Sequence, residues 1–220
     1  MTKQKKLQTA VILNIILFIL EVIGGYLYFQ RGGWNFIEFY TEDSNTLTMA
    51  ACLLTAIYEY QMLKGKREVL PGWLQELKYI SAVGLTLTFL VVIFILIPMQ
   101  KDGNGAYMFL LQGSMLYHHL LCPILLFITY LWFDPLDAIT KKQTALTVIP
   151  TLIYAAVLIM LNICKVLEGP YPFLRVYDQP VYMSIVWVIV ILGAAYGIAF
   201  LLGLLLNRIQ KHNSVAENSK

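Results

Sequence analysis

Two adjacent histidines, His118 and His119, sit inside an apolar run that also carries Gln112. Polar side chains in such a run are costly: an acid at the centre of a membrane helix costs about 2.5–3.5 kcal/mol on insertion scales, so these groups usually face the bundle interior. On a helix, Gln112 and His119 share a face, while His118 points about 100° away. A histidine so placed has three readings: an interhelical hydrogen bond, a catalytic or proton-handling group, or a metal ligand. Neighbouring histidines do not easily aim at one ion, and no HxxxH or HxxE spacing accompanies them. No metal and no cofactor are expected.

A second constellation lies upstream. Thr41, Asn45, Thr48, Cys52, Thr55 and Glu59 recur at alternating steps of four and three. That spacing puts all six on one helical face, with Leu47, Met49, Ala50, Leu53 and Leu54 covering the rest. One reading is a packing seam, because small and polar residues let membrane helices approach and hydrogen-bond. Asp43 and Asn45 add an acid and an amide at the upper end, which a seam does not require. Asn14 and Glu21 are likewise seven residues apart on one face, with the spacing of an interhelical hydrogen bond.

The elements that carry these residues are apolar. Of 220 residues, 59% are hydrophobic and only 13% charged, and the mean hydropathy is +0.68. Soluble domains carry about 25% charged residues, so this surface cannot face water all round. A hydrocarbon core about 30 Å thick requires roughly 20 apolar residues per helix. Six segments reach that length: Leu7–Tyr28, Asn45–Leu63, Tyr79–Met99, Met108–Phe133, Thr144–Cys164 and Val181–Leu206. The fold class is therefore all-α, a polytopic membrane protein of six transmembrane helices. Residues 1–206 form the domain, and 207–220 are read as a disordered tail. The first run is too long for a signal peptide, and no cleavage site follows it. Cys52, Cys122 and Cys164 read as small buried hydrophobes.

Twelve lysines and arginines fall on the side of the N-terminus, the second and fourth loops and the tail, against four on the other. Lys78 is among the twelve, in a loop spanning Lys64–Lys78. Positive charge stays inside, so both termini are expected in the cytoplasm and the chain in the cell membrane. Tyr26, Tyr28, Trp34, Tyr40, Tyr107 and Tyr171 then mark the outer interface, and Trp73 and Trp132 the inner. Thr41, Asp43, Asn45, the two histidines, Asn162 and the proline-aromatic loop Gly169–Tyr177 gather at the outer leaflet. The basic residues are scattered as topology demands, and nucleic acid is not an expected partner.

Three stretches resemble one family: WNFIEFYTEDSN at Trp34–Asn45, YHHLLCP at Tyr117–Pro123 and GPYPF at Gly169–Phe173. They are similar to the integral-membrane androgen-induced proteins, hydrolases of fatty acid esters of hydroxy fatty acids, and more closely to that family's bacterial relatives. The resemblance covers most of the chain in motif order, spacing and helix number. It implies a threonine nucleophile, carried over to Thr41, and a histidine base. His118 fits the animal pattern and His119 the bacterial one. His119 is preferred because it shares a face with Gln112. Counting from Trp34 puts Glu38 at the nucleophile position instead, and Ser44 is a rival.

A threonine hydroxyl needs a base within about 2.6–3.2 Å. Asp43 is the candidate to orient the imidazole, and Asn45 or backbone N–H groups at the helix start are candidate oxyanion donors. No GxSxG elbow is present, which excludes the usual α/β-hydrolase arrangement. Two functions remain open. One is an intramembrane threonine hydrolase of lipid esters, with membrane lipids as partners and a lipid ester as substrate. The other is a non-enzymatic lipid or small-molecule binder or carrier, to which the polar seams belong equally well. The lack of an internal repeat argues mildly against a secondary transporter.

Overall fold

The computed structural model describes residues 2–101 and 103–218. The described residues form helices and no strand. Helix α1 spans Lys3–Gly32, and a 3₁₀ segment, Gly33–Glu38, turns the chain into α2, Tyr40–Leu63. Helix α3 begins at Gly72, runs to Val91 and continues through a π-turn, Val92–Leu96, to Met99. Short α4, Gly105–Leu110, precedes α5, which spans Ser114–Phe133. Helix α6 covers Lys141–Leu146 and, after a turn, Ile149–Ile163; α7 covers Val181–Asn218.

Five of these segments are long and apolar enough to cross a membrane: Lys3–Glu38, Gly72–Met99, Ser114–Phe133, Lys141–Ile163 and Val181–His212. That makes the chain a multi-pass helical protein. The second of the six expected segments is not among the five. Its polar load is the cause: Glu42, Asn45, Thr48, Thr55 and Glu59 all lie on α2 and are all buried. Helix α2 packs between α1 and α3 and turns its polar face inward.

Two of the three π-turns lie just upstream of or beside a helical proline. A proline inside a helix removes one N–H donor and clashes with the carbonyl four residues earlier. Pro98 opposes Phe94, inside the π-turn of α3, and Pro123 opposes His119, inside the π-turn Tyr117–Leu121. The wider turn accommodates each proline without ending the helix.

The structure departs from the sequence expectation in five places. The fourth segment, read as one helix from Met108, breaks at Leu111–Gly113, where Gly113 takes φ +59°. Helix α3 starts at Gly72, so Lys78 is not a loop residue; it is fully buried inside the bundle. The tail from Asn207 is not disordered: α7 continues to Asn218, and residues 219–220 lie outside the described residues. Its anchor is Asn207, whose amide brackets the backbone N–H and C=O of Ile139 at 2.8 and 2.9 Å. Tyr171 is buried rather than interfacial, against Phe39 and Phe173. Cys164 is exposed, while Cys52 and Cys122 are buried.

Candidate functional site

The three sequence stretches, far apart in the chain, meet around one cavity of about 510 Å³. Phe39, Thr41 and Glu42 reach it from the start of α2, His119 from the π-turn of α5, and Pro170, Tyr171 and Pro172 from the loop before α7. Arg31 and Arg175 complete its polar wall.

Thr41 is buried, and its Oγ1 lies 3.3 Å from the Tyr171 hydroxyl. Its backbone N–H donates to the same hydroxyl at 3.4 Å. Burial pushes the Tyr171 phenol up to about 12, so it remains a neutral hydroxyl at physiological pH. Thr41 stands in the first turn of α2, where backbone N–H groups have no intrahelical acceptor; the first such bond of this turn is Asp43 N–H to Phe39 O. A narrow apolar cleft adjoins on the other side of Thr41 and Tyr171, walled by Leu87, Val91, Trp187 and Ile191. Thr41 therefore sits at the boundary of a polar chamber and an apolar slot.

The two histidines diverge, as a 100° offset requires. His119 turns toward the Thr41 cavity, and its Nδ1 lies 2.8 Å from the Phe109 carbonyl oxygen. A carbonyl only accepts, so Nδ1 carries the hydrogen and the Nε2 lone pair is left open. No direct hydrogen bond joins His119 to Thr41; they share a cavity rather than a contact. His118 turns away, between α1 and α2. Its Nδ1 lies 3.1 Å from Glu42 Oε1 and its Nε2 3.7 Å from Glu21 Oε2. That approach depends on Gly24, where an added Cβ would lie 2.3 Å from His118 Nε2.

The supporting residues are placed differently from expectation. Asp43 does not orient a histidine; it is exposed and opens to another cavity, with Ile37, Tyr40 and Pro150. One residue along a helix is a 100° turn, and Glu42 takes the histidine contact instead. Gln112 does not share a face with His119, because it lies exposed in the break before α5. Asn45 is buried; its Nδ2 donates to Thr41 O at 2.7 Å, and its side chain lines a different cavity from the one that holds Thr41 and His119. Ser44 donates to Thr41 O at 3.0 Å and faces Thr88, not the cavity. Glu38 supplies a backbone carbonyl to Tyr154 and does not line the cavity.

A second polar cluster lies deeper along α1, about 10 Å from Glu21 at 1.5 Å per residue. Asn14 donates to Glu59 Oε2 at 3.1 Å and to Asp134 Oδ1 at 2.9 Å, and its own oxygen accepts from Lys78. Lys78 Nζ also lies 3.2 Å from Cys52 Sγ and 3.5 Å from Asp134 Oδ2, with both charged side chains wholly buried. The sequence suggests a loop position for Lys78 and no role for Asp134, yet both belong to this cluster. Their signal was present: a lysine within helical reach of Tyr79 and an acid closing an apolar run. Among the described residues no group of three His, Cys, Asp or Glu side chains is arranged to hold a metal ion.

Comparisons with protein-family models, with curated proteins and with solved structures found no match for this chain.

Proposed function

We propose that the chain is an intramembrane threonine hydrolase of lipid esters, related to the androgen-induced family and its bacterial members. One observation carries this: the three motif stretches converge on a single cavity holding Thr41, His119 and Tyr171. A lipid ester places its acyl chain in the apolar slot and its other, anionic end near Arg31 and Arg175. Thr41 Oγ1 attacks the ester carbonyl carbon while its proton passes to His119 Nε2, directly or through one water. Backbone N–H groups of the first turn of α2 and the Tyr171 hydroxyl stabilise the oxyanion. The tetrahedral adduct expels the alcohol, which takes the proton from His119. Water, deprotonated by His119, then releases the acyl group from Thr41.

The topology belongs to the same proposal. Helix α2 has 24 residues, about 36 Å at 1.5 Å per residue, enough to serve as a sixth span. Six spans put both termini on one side. Removing Lys78 from the loop count leaves eleven positive residues there against four, a bias that supports cytoplasmic termini and, with them, a cavity opening toward the outer leaflet of the cell membrane.

The test is hydrolysis of fatty-acid esters by the purified full chain in detergent. Thr41→Ala and His119→Ala are each expected to lose roughly 10²-fold or more in kcat, while Thr41→Ser retains activity. His118→Ala is expected to lose far less, because His118 does not line the Thr41 cavity. Equal activity in wild type, Thr41→Ala and His119→Ala would sink the assignment. The alternative of a non-enzymatic binder or carrier is favoured by a different observation, the buried Asn14–Glu59–Lys78–Asp134 cluster, which takes no part in the hydrolytic scheme.

A further inference from the structure

A second cavity, about 430 Å³, lies between α1 and α2 on the other side of the Glu42–His118 pair from the Thr41 chamber. Its inner wall is Glu21, Glu42, Asn45 and His118, and its rim is apolar. We propose that this groove binds the protonated head of an alkylammonium amphiphile, with the alkyl tail lying along the apolar rim.

The unpaired atoms of the wall set the sign of the ligand. Glu21 is 2% exposed, and its carboxyl oxygens have no nitrogen or oxygen donor, the Cys122 thiol beside them being only a weak one. Asn45 is 2% exposed and its Oδ1 is also unpartnered. These three acceptors belong to two residues that line one cavity. His118 Nε2 is the nearest nitrogen, 3.7 Å from Glu21 and outside hydrogen-bond distance.

Charge balance agrees. Glu21 and Glu42 bring two carboxyl groups to this wall against the single imidazole of His118. The groups packed around Glu21 are Glu42 from α2, His118 and Cys122 from α5, and Lys78 from α3. Lys78 is already engaged by Asp134, Asn14 and Cys52, so it brings no spare positive charge. An unpaired buried charge is neutralised by a proton or by a cation. A proton on Glu21 would serve that carboxyl alone and leave Asn45 Oδ1 without a donor. An ammonium has three donors, enough for Glu21, Glu42 and Asn45 together.

The rim argues for an amphiphile over a bare ion. Val22, Tyr26 and Phe29 are 44%, 62% and 43% exposed along the groove. They offer apolar surface for a chain, and the Tyr26 and Phe29 rings offer π-faces to a nearby cation. Gly25 lines the groove, and a Cβ there meets nothing within 4 Å, so the space beside it is open.

The test is equilibrium binding of radiolabelled dodecylammonium to the full chain in phosphatidylcholine nanodiscs, read against empty discs at pH 7. Saturable binding of about one per chain is expected. Glu21→Gln and Gly25→Leu should each weaken it at least tenfold, the first by removing the carboxyl and the second by filling the groove from a position where an added Cβ meets nothing. Thr41→Ala should leave it unchanged, which separates this site from the hydrolytic one. Dodecanol should not compete, and ethylammonium only at far higher concentration. No saturable excess over empty discs, competition by dodecanol equal to that of dodecylammonium, or full binding by Gly25→Leu would overturn the proposal. Displacement by sodium at the same concentration as the amine would overturn the choice of ligand.

Discussion

Gly24→Ala tests the geometry that joins α1 to α5. An added methyl at Gly24 would lie 2.3 Å from His118 Nε2, 2.5 Å from its Cδ2 and 2.9 Å from Tyr117 Cβ, where ordinary contact begins at 3.4 Å. His118 would have to retreat by about 1 Å, and the Tyr117 neighbour is a Cβ fixed to the backbone of α5. Overpacking of this kind costs about 1–3 kcal/mol. Retreat also stretches the buried bond from His118 to Glu42, and bonds to charged groups are worth about 1.5–3 kcal/mol. Replacing glycine by alanine within a helix returns roughly 1 kcal/mol. The net expectation is a destabilisation of roughly 2 kcal/mol, or roughly 4–8 °C in melting midpoint for a chain this size. A thiol-reactive dye reads the transition in detergent, since Cys52 and Cys122 are buried; exposed Cys164 is first replaced by serine. Gly25→Ala, which meets nothing, should be neutral or stabilising. Adding His118→Ala to Gly24→Ala should recover much of the packing cost. A Gly24→Ala protein as stable as its parent would refute the close approach of α1 to α5, and with it the placement of His118 between Glu21 and Glu42.

Two further outcomes follow from buried charge. Lys78→Met leaves Asp134 without its cation and should destabilise by about 3–5 kcal/mol, whereas Lys78→Met with Asp134→Asn should regain most of that in the same thermal assay. The Tyr171 phenol, held up to about 12 by burial, keeps its proton in the folded chain where the unfolded chain releases it near 10. Its contribution is thus full below about pH 10 and is lost as pH rises toward about 12. Melting midpoints of wild type and Tyr171→Phe between pH 9 and 11 should therefore converge as pH rises; a constant difference would contradict the burial of that hydroxyl.

Periodicity revealed α2 best. All six residues spaced by fours and threes, from Thr41 to Glu59, are buried, because a polar face among lipid-facing helices has one low-energy direction, inward. The failures share a cause as well. Gln112 was assigned a helix face by extrapolating through Gly113, whose positive φ ends the geometry on which that spacing rests. Asp43 is the acid the sequence suggests for the histidine, but one position on a helix decides which wall a side chain reaches, and Glu42 is the acid that meets His118. Lys78 reads as a loop charge because it stands at the edge of the apolar run that begins at Tyr79. Its partners, Asp134 and Asn14, come from segments remote in sequence, and no local pattern announces a pairing of that kind. Tyr171 reads from the sequence as an interface marker and as part of a motif; its place beside Thr41 depends on how the loop before α7 folds back over α2.

The concentration of polar groups on α2 is itself informative. Replacing a buried ion pair by well-packed apolar residues is often neutral or stabilising, so stability gives no reason to keep one. Here α2 carries enough polar residues to fall short of the apolarity of the other long helices, and α1, α3 and α5 must shelter them. The shelter does not serve a single purpose. At the start of α2, Thr41 faces a chamber and a slot; one residue on, Glu42 holds His118; four residues on, Asn45 faces a separate groove with an unpaired oxygen. Deeper in the bundle the Asn14 amide is itself engaged by Glu59, Asp134 and Lys78. Where unpartnered acceptors belong to residues lining a cavity, a ligand is the simplest partner they lack, and the cavities beside the Thr41 end of α2 are where binding measurements belong.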